Sequence, residues 1–109
     1  MKLPNGDRAI VDIRKLLDYC LNSQHPRGRN KARVFASAGI RETDAEELRA
    51  AILAAALDAE AELGVVNVYG QRYVVDFDFF RQGRSVRIRS TWIVRAEDKL
   101  PRLTSCYVL

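Results

Sequence analysis

The sequence predicts an α+β domain in which three helices are followed by an antiparallel sheet of about four strands, with the helices packed on one face. Three observations lead there. Between residues 12 and 63 the apolar residues recur at spacings of three and four, the period of an amphipathic helix. After Gly64 the spacing changes to two, the period of a strand. The chain has 109 residues, 48% apolar and 29% charged, which suits one domain around one core and no internal boundary. Helices grouped before strands, rather than alternating with them, are the α+β order.

Arg8 to Val11 reads as a short extended segment, and Asp12 is a good N-cap for the first helix. Ile13, Leu16, Leu17, Cys20 and Leu21 then form a full apolar stripe, ended by Asn22-Ser23-Gln24. The short link His25-Pro26 leads into Arg27-Gly28-Arg29-Asn30-Lys31 and a second helix, packed on the first as a hairpin, whose apolar face carries Val34, Phe35 and Ala38. Gly39 supplies the left-handed residue that commonly follows a helix end. Thr43-Asp44-Ala45-Glu46 has the form of a capping box, and the third helix is expected to run from it to about Leu63, where Gly64 stops it.

Val65 to Tyr69 reads as a strand broken from the next by Gly70, and Leu103 to Leu109 as a final strand after Pro101. Between them, residues 73–80 and 85–94 alternate on either side of Arg81-Gln82-Gly83-Arg84. A regular hairpin closed there sets Asp78 opposite Arg87, Asp76 opposite Arg89, and Tyr73 opposite Trp92. These pairings put opposite charges on one face and aromatic rings on the other.

The net charge of +4 conceals a division. Residues 1–39 carry +5, residues 40–63 carry −5 and residues 64–109 carry +4. Such blocks either complement each other within the fold or form separate binding surfaces. No apolar run approaches the roughly 20 residues of a membrane span, and no signal-type stretch follows Met1 to Asp7, so the chain reads as cytoplasmic, with no membrane partner. Cys20 and Cys106 each lie in an apolar pattern without Cys-x-x-Cys or zinc spacing, and are expected to be buried and reduced.

The start of the second helix breaks a local rule. Arg27, Arg29 and Lys31 occupy its first turn without a carboxylate, although each cation beside a helix N-terminus is unfavourable by about 0.3–1 kcal/mol at low salt. Backbone N–H groups ringed by Arg27, Arg29, Lys31 and Arg33 make an anion site suited to nucleic-acid phosphate. The alternative is a solvated basic turn whose arginines pair with the acidic third helix.

The familiar enzyme motifs are missing, and one histidine does not make a multi-histidine metal site, so no cofactor or metal is called for. Asp76 and Asp78 are explained by pairing with Arg87 and Arg89. What survives is metal-independent cleavage of RNA by its own 2′-OH, with His25, Lys31 and Thr104 as candidate catalytic residues. Thr91, Ser105 and Tyr107 are further groups on the sheet. The spacing leaves open whether these residues converge.

Several separated motifs occur in order: Leu16-x-x-Tyr19-Cys20-Leu21-Asn22, His25-Pro26-Arg27-Gly28-Arg29-x-Lys31-Ala32-x-x-Phe35, Tyr69-Gly70-x-x-Tyr73, Trp92-Ile93 and Pro101-Arg102-Leu103-Thr104-x-x-Tyr107. Together they resemble DUF6883, a bacterial family of unknown function, over nearly the whole chain. The resemblance implies a fold family but no activity, and members resembling it occur alone or appended to phage- or toxin-type proteins. The order of elements is also similar to that of small ribonuclease toxins of the barnase and colicin D kind, although a second histidine and a glutamate base are missing. Two readings follow: a toxin-like ribonuclease or RNA-binding domain using residues 25–33, or a non-enzymatic module binding a partner protein through the acidic helix and the sheet edge.

Overall fold

Residues 1–109 are described by a computed structural model. Helix α1 (Ile13–Lys15) continues into a π-helical turn (Leu16–Cys20), and α2 (Arg29–Ser37) packs against that turn. A short 3₁₀ turn (Glu42–Asp44) leads into α3 (Ala45–Asp58). The strands are β1 (Ala61–Asn67), β2 (Gly70–Arg81), β3 (Arg84–Val94) and β4 (Pro101–Val108), all antiparallel in the order β1-β2-β3-β4. The fold is α+β, with three helices ahead of a four-stranded sheet.

Alternation on β2 and β3 decides which face is covered. Tyr73, Val75, Phe77 and Phe79 join Val86, Ile88 and Trp92 in the core with Phe35, Leu48 and Ile52 from the helices. Trp92 is fully buried and its indole N–H donates to Ser90 Oγ at 2.9 Å, which in turn donates to the Val75 carbonyl at 2.7 Å. The one buried polar side chain of the core is thereby satisfied.

The β2–β3 register is the one the charge pattern requires: Asp78 faces Arg87, Asp76 faces Arg89, and Tyr73 faces Trp92. Gln82 and Gly83, both at positive φ, form the two-residue turn. Arg89 grips Asp76 through two bonds of 2.8 and 2.9 Å, which hold the Asp76 carboxyl below its ordinary range. Arg87 and Asp78 approach to 3.2 Å in a more exposed pair.

Two expectations need correction. The third helix does not reach Leu63 but ends at Asp58, with Ala59 already extended at φ −83° and ψ 160°. Glu60, Ala61, Glu62 and Leu63 are all good helix formers, yet Ala61, Glu62 and Leu63 pair with Val75, Val74 and Tyr73. Tertiary pairing overrides weak local propensity. Gly64 is therefore no helix stop. It lies within β1, where a Cβ would sit 3.3 Å from the Arg72 carbonyl oxygen.

Nor does Thr43 cap the third helix. The Asp44 carboxylate accepts from the Arg41 backbone N–H at 2.9 Å, a box displaced two residues toward the N-terminus because the 3₁₀ turn intervenes.

Candidate functional site

The basic turn is built around Gly28 and His25. A Cβ on Gly28 would lie 2.1 Å from the Tyr19 carbonyl oxygen, so only glycine lets the turn close onto the end of the first helical segment. His25 Nδ1 then accepts from the backbone N–H groups of Arg27 and Gly28, each at 3.0 Å. This ring nitrogen does the work of an N-cap oxygen. An acceptor at Nδ1 places the ring proton on Nε2, which makes the outer edge of the imidazole a donor. The Tyr19 ring stands edge-on to it, with centroids 4.9 Å apart.

His25, Arg27 and Thr104 line one open cleft of about 600 Å³ together with Tyr19, Lys15, Arg14, Asp12 and Asp18. Its charges are not equivalent. Arg14 is bound to Asp18 at 2.8 Å, and Asp12 Oδ1 accepts from the Arg14 backbone N–H as the cap of α1. Lys15 and Arg27 have no carboxylate within 4.0 Å, and neither do Arg29, Lys31 and Arg33. The acidic start of α3 is instead engaged by Arg81, which meets Asp44 at 3.0 Å and Glu47 at 3.1 Å. Its guanidinium, with the Arg41 amide, holds the Asp44 carboxyl below the usual carboxylate range. The expected alternative, a basic turn neutralised by the acidic helix, is not what the fold contains.

Lys31 does not line this cleft. It is half-buried behind it, where Nζ donates to the Tyr19 hydroxyl oxygen at 2.8 Å and to Ser105 Oγ at 3.1 Å. The ammonium also lies 4.7 Å from the Tyr19 ring centre and 5.6 Å from that of Tyr107. Because the Tyr19 oxygen accepts from Lys31, its own O–H remains free to donate elsewhere. Lys31 is thus a positioning residue for the cleft. On its other side Lys31 borders a smaller hollow of about 250 Å³ with Asn30, Val34, Tyr107 and Val108.

Thr104 reaches the cleft as the extra residue of a β-bulge, because β4 slips between the pairs Thr91–Ser105 and Trp92–Leu103. Its hydroxyl donates to the Thr91 carbonyl at 3.1 Å and shares a 2.7 Å bond with Thr91 Oγ1. Arg29 and Arg33 are exposed on α2 and line neither hollow.

Behind Tyr19 the free thiols of Cys20 and Cys106 are fully buried. Hydrogen bonding from Cys106 holds Cys20 down to about 7 against the opposing effect of burial, while the same contact and burial raise Cys106.

Five residues of the cleft were not singled out from sequence as site groups: Arg14, Lys15, Asp18, Tyr19 and, beyond its capping role, Asp12. Their spacing holds a trace of it, since 12, 15, 18 and 19 fall three and four apart on one polar helix face.

No curated protein and no solved structure matches the chain. A family model does, over residues 2–109, and the protein belongs to DUF6883, a domain family of unknown function.

Proposed function

We propose that the cleft beside the α2 entry binds the phosphates of RNA, and that the domain is a cytoplasmic, toxin-like RNA-binding protein of the metal-independent ribonuclease kind. One observation carries the reading: Lys15 and Arg27 line the cleft with no carboxylate partner, while the acidic helix that could neutralise the basic turn is engaged by Arg81. Cations unpaired within their own fold and set beside two neutral donors, His25 Nε2–H and the Tyr19 hydroxyl, are the complement of a phosphodiester.

In this reading Lys15 and Arg27 neutralise the bridging phosphate, and His25 and Tyr19 hydrogen-bond its non-bridging oxygens. As charge builds on the phosphorane those bonds strengthen. With His25 Nδ1 committed to the backbone, the proton of the attacking 2′-OH passes to a carboxylate, and Asp12 and Asp18 are the two in the cleft; as the P–O2′ bond forms the P–O5′ bond breaks, and the departing 5′-oxygen takes a proton from water in the open cleft.

The test is a titration with labelled single-stranded RNA at two salt concentrations, with a parallel assay for cleavage. The parent should weaken with a log–log slope of about −0.7 per phosphate contacted. Arg27→Glu and Lys15→Glu should each weaken binding about tenfold, and Arg33→Glu, outside the cleft, less than about threefold. Absent binding, or equal effects at Arg27 and Arg33, would overturn the cleft as the site. Binding without cleavage would make the domain a binder and remove the proton-transfer role of the aspartates.

A further inference from the structure

The sheet has two unlike edges. On the β4 side Ile10 and α2 cover the strand. On the β1 side only the beginning is covered, where Lys2 bridges to Glu60 and the Ala61 N–H donates to the Met1 carbonyl. Beyond Ala61 no strand lies beside β1.

That open edge is apolar on both faces. Leu63 and Val66 pair with Tyr73 and Gln71 and so point to the helix side, yet are 63% and 69% exposed because no helix extends over them. Val65, within β1, is also bare, and Val68 and Tyr69 in the turn just after it, 94% and 70% exposed, border a recess of about 370 Å³ on the opposite face. A strand apolar on both faces has the composition of an interior strand. Residues 63–69 also lack the lysines and prolines that usually blunt an edge.

Charge identifies the occupant. Glu62, just before the open edge, has no cation within 4.0 Å, and Arg72 and Arg95, which line the recess with Val68 and Glu97, have no carboxylate. An unpaired anion thus stands at one end of the strand, and unpaired cations stand beside its middle and its other end. A two-fold axis sets each against its complement, since an isologous contact presents the same patch from both sides.

We propose that β1 pairs antiparallel with β1 of a second copy of this chain, about a two-fold axis near Val65, so that the two sheets become one. Glu62 of each copy then approaches the Arg72–Arg95 recess of the other. The five bare apolar residues offer on the order of 600 Å² per copy, and backbone pairing with Glu62 brings this near the roughly 800 Å² per partner of a standard interface. The bulge between Leu63 and Val66 keeps the paired run short, which places the association in the micromolar range.

Sedimentation or light scattering of the whole chain from low-micromolar to near-millimolar concentration tests this. The parent mass should rise from 12.4 kDa toward twice that value. Val65→Lys should raise the dimer dissociation constant about tenfold or more, and Glu62→Arg about threefold. Combining Glu62→Arg with Arg72→Glu in one chain should restore association, because the two-fold then repairs both swapped charges. In the parent, amide exchange at residues 63–67 should slow as the dimer forms, a readout that holds even where a variant unfolds. A parent monomeric throughout, a dimer with unprotected 63–67 amides, or a folded Val65→Lys that associates like the parent would overturn the proposal. Monomers that instead protect these amides on adding an unrelated extended peptide would overturn self-pairing in favour of a foreign strand.

Discussion

The starts of α2 and α3 meet the same requirement, a partner for free backbone N–H groups, with opposite charge. At α3 a carboxylate takes an amide, further acids follow in the first turn, and an arginine from the β2–β3 hairpin pairs with Asp44 and Glu47. Two carboxylates of that helix start are thus answered within the fold. At α2 a neutral ring takes two amides, only cations follow, and nothing within the chain answers them. Capping engages backbone amides in both cases; only at α2 does the cluster of like charge meet no opposite charge within the chain. A cluster of cations that no carboxylate within the fold meets is therefore the mark of a surface that meets something outside the fold.

The largest effect is expected at the turn itself. Gly28→Ala drives a methyl against the Tyr19 carbonyl and should destabilise by about 3 kcal/mol in chemical denaturation. Gly39→Ala, at φ +82° with no atom within 4 Å of its Cβ, should cost only about 1 kcal/mol. Equal losses would mean that the α2 entry is not held by that close approach.

Next comes the α3 start. Asp44→Ala removes both the amide acceptor and the Arg81 partner and should cost about 2 kcal/mol at neutral pH. Because the folded Asp44 carboxyl sits below its ordinary range, its contribution is complete above the ordinary carboxylate pKa and disappears as pH falls through the folded value. Parent and variant stabilities should therefore converge in acid, and a constant gap down to the acid limit would refute the assignment. His25→Ala should cost about 1 kcal/mol, like the loss of an ordinary cap, and should weaken RNA binding as well.

The smallest pair sharpens the contrast most directly. Arg29→Glu should stabilise the free protein by about 0.3–1 kcal/mol by removing a cation from the α2 N-terminus, whereas Glu46→Lys at α3 should destabilise by a similar amount. Thermal unfolding at low salt measures both, and added salt should shrink each.

The sheet was legible in the sequence because its register rests on short-range arithmetic: one turn fixes the count, and every Asp–Arg and Tyr–Trp pair follows. Burial of Cys20 and Cys106 was legible for a similar reason, from apolar neighbours. The end of α3 was not, since residues 60–63 favour helix locally and become strand only by meeting residues 73–75. The cleft was legible in part. His25 and Thr104 do converge, but through a β-bulge that no alternating pattern announces. Lys31, expected in the site, lies behind the cleft instead, because Tyr19, to which it donates, sits twelve residues earlier in the chain and turns it away.

The segment ahead of α1 touches the sheet at both sides, with Lys2 beside Glu60 and Ile10 beside Arg102. Between these points it passes α3 so closely that a Cβ on Gly6 would sit 2.1 Å from the Ala56 carbonyl oxygen, and Leu3 and Val11 anchor it in the core. It acts mechanically as a girdle. Tension that splays β1 from β4 is carried by residues 2–10 as well as by the strand ladders, and the girdle must slip past the end of α3 before the sheet can open.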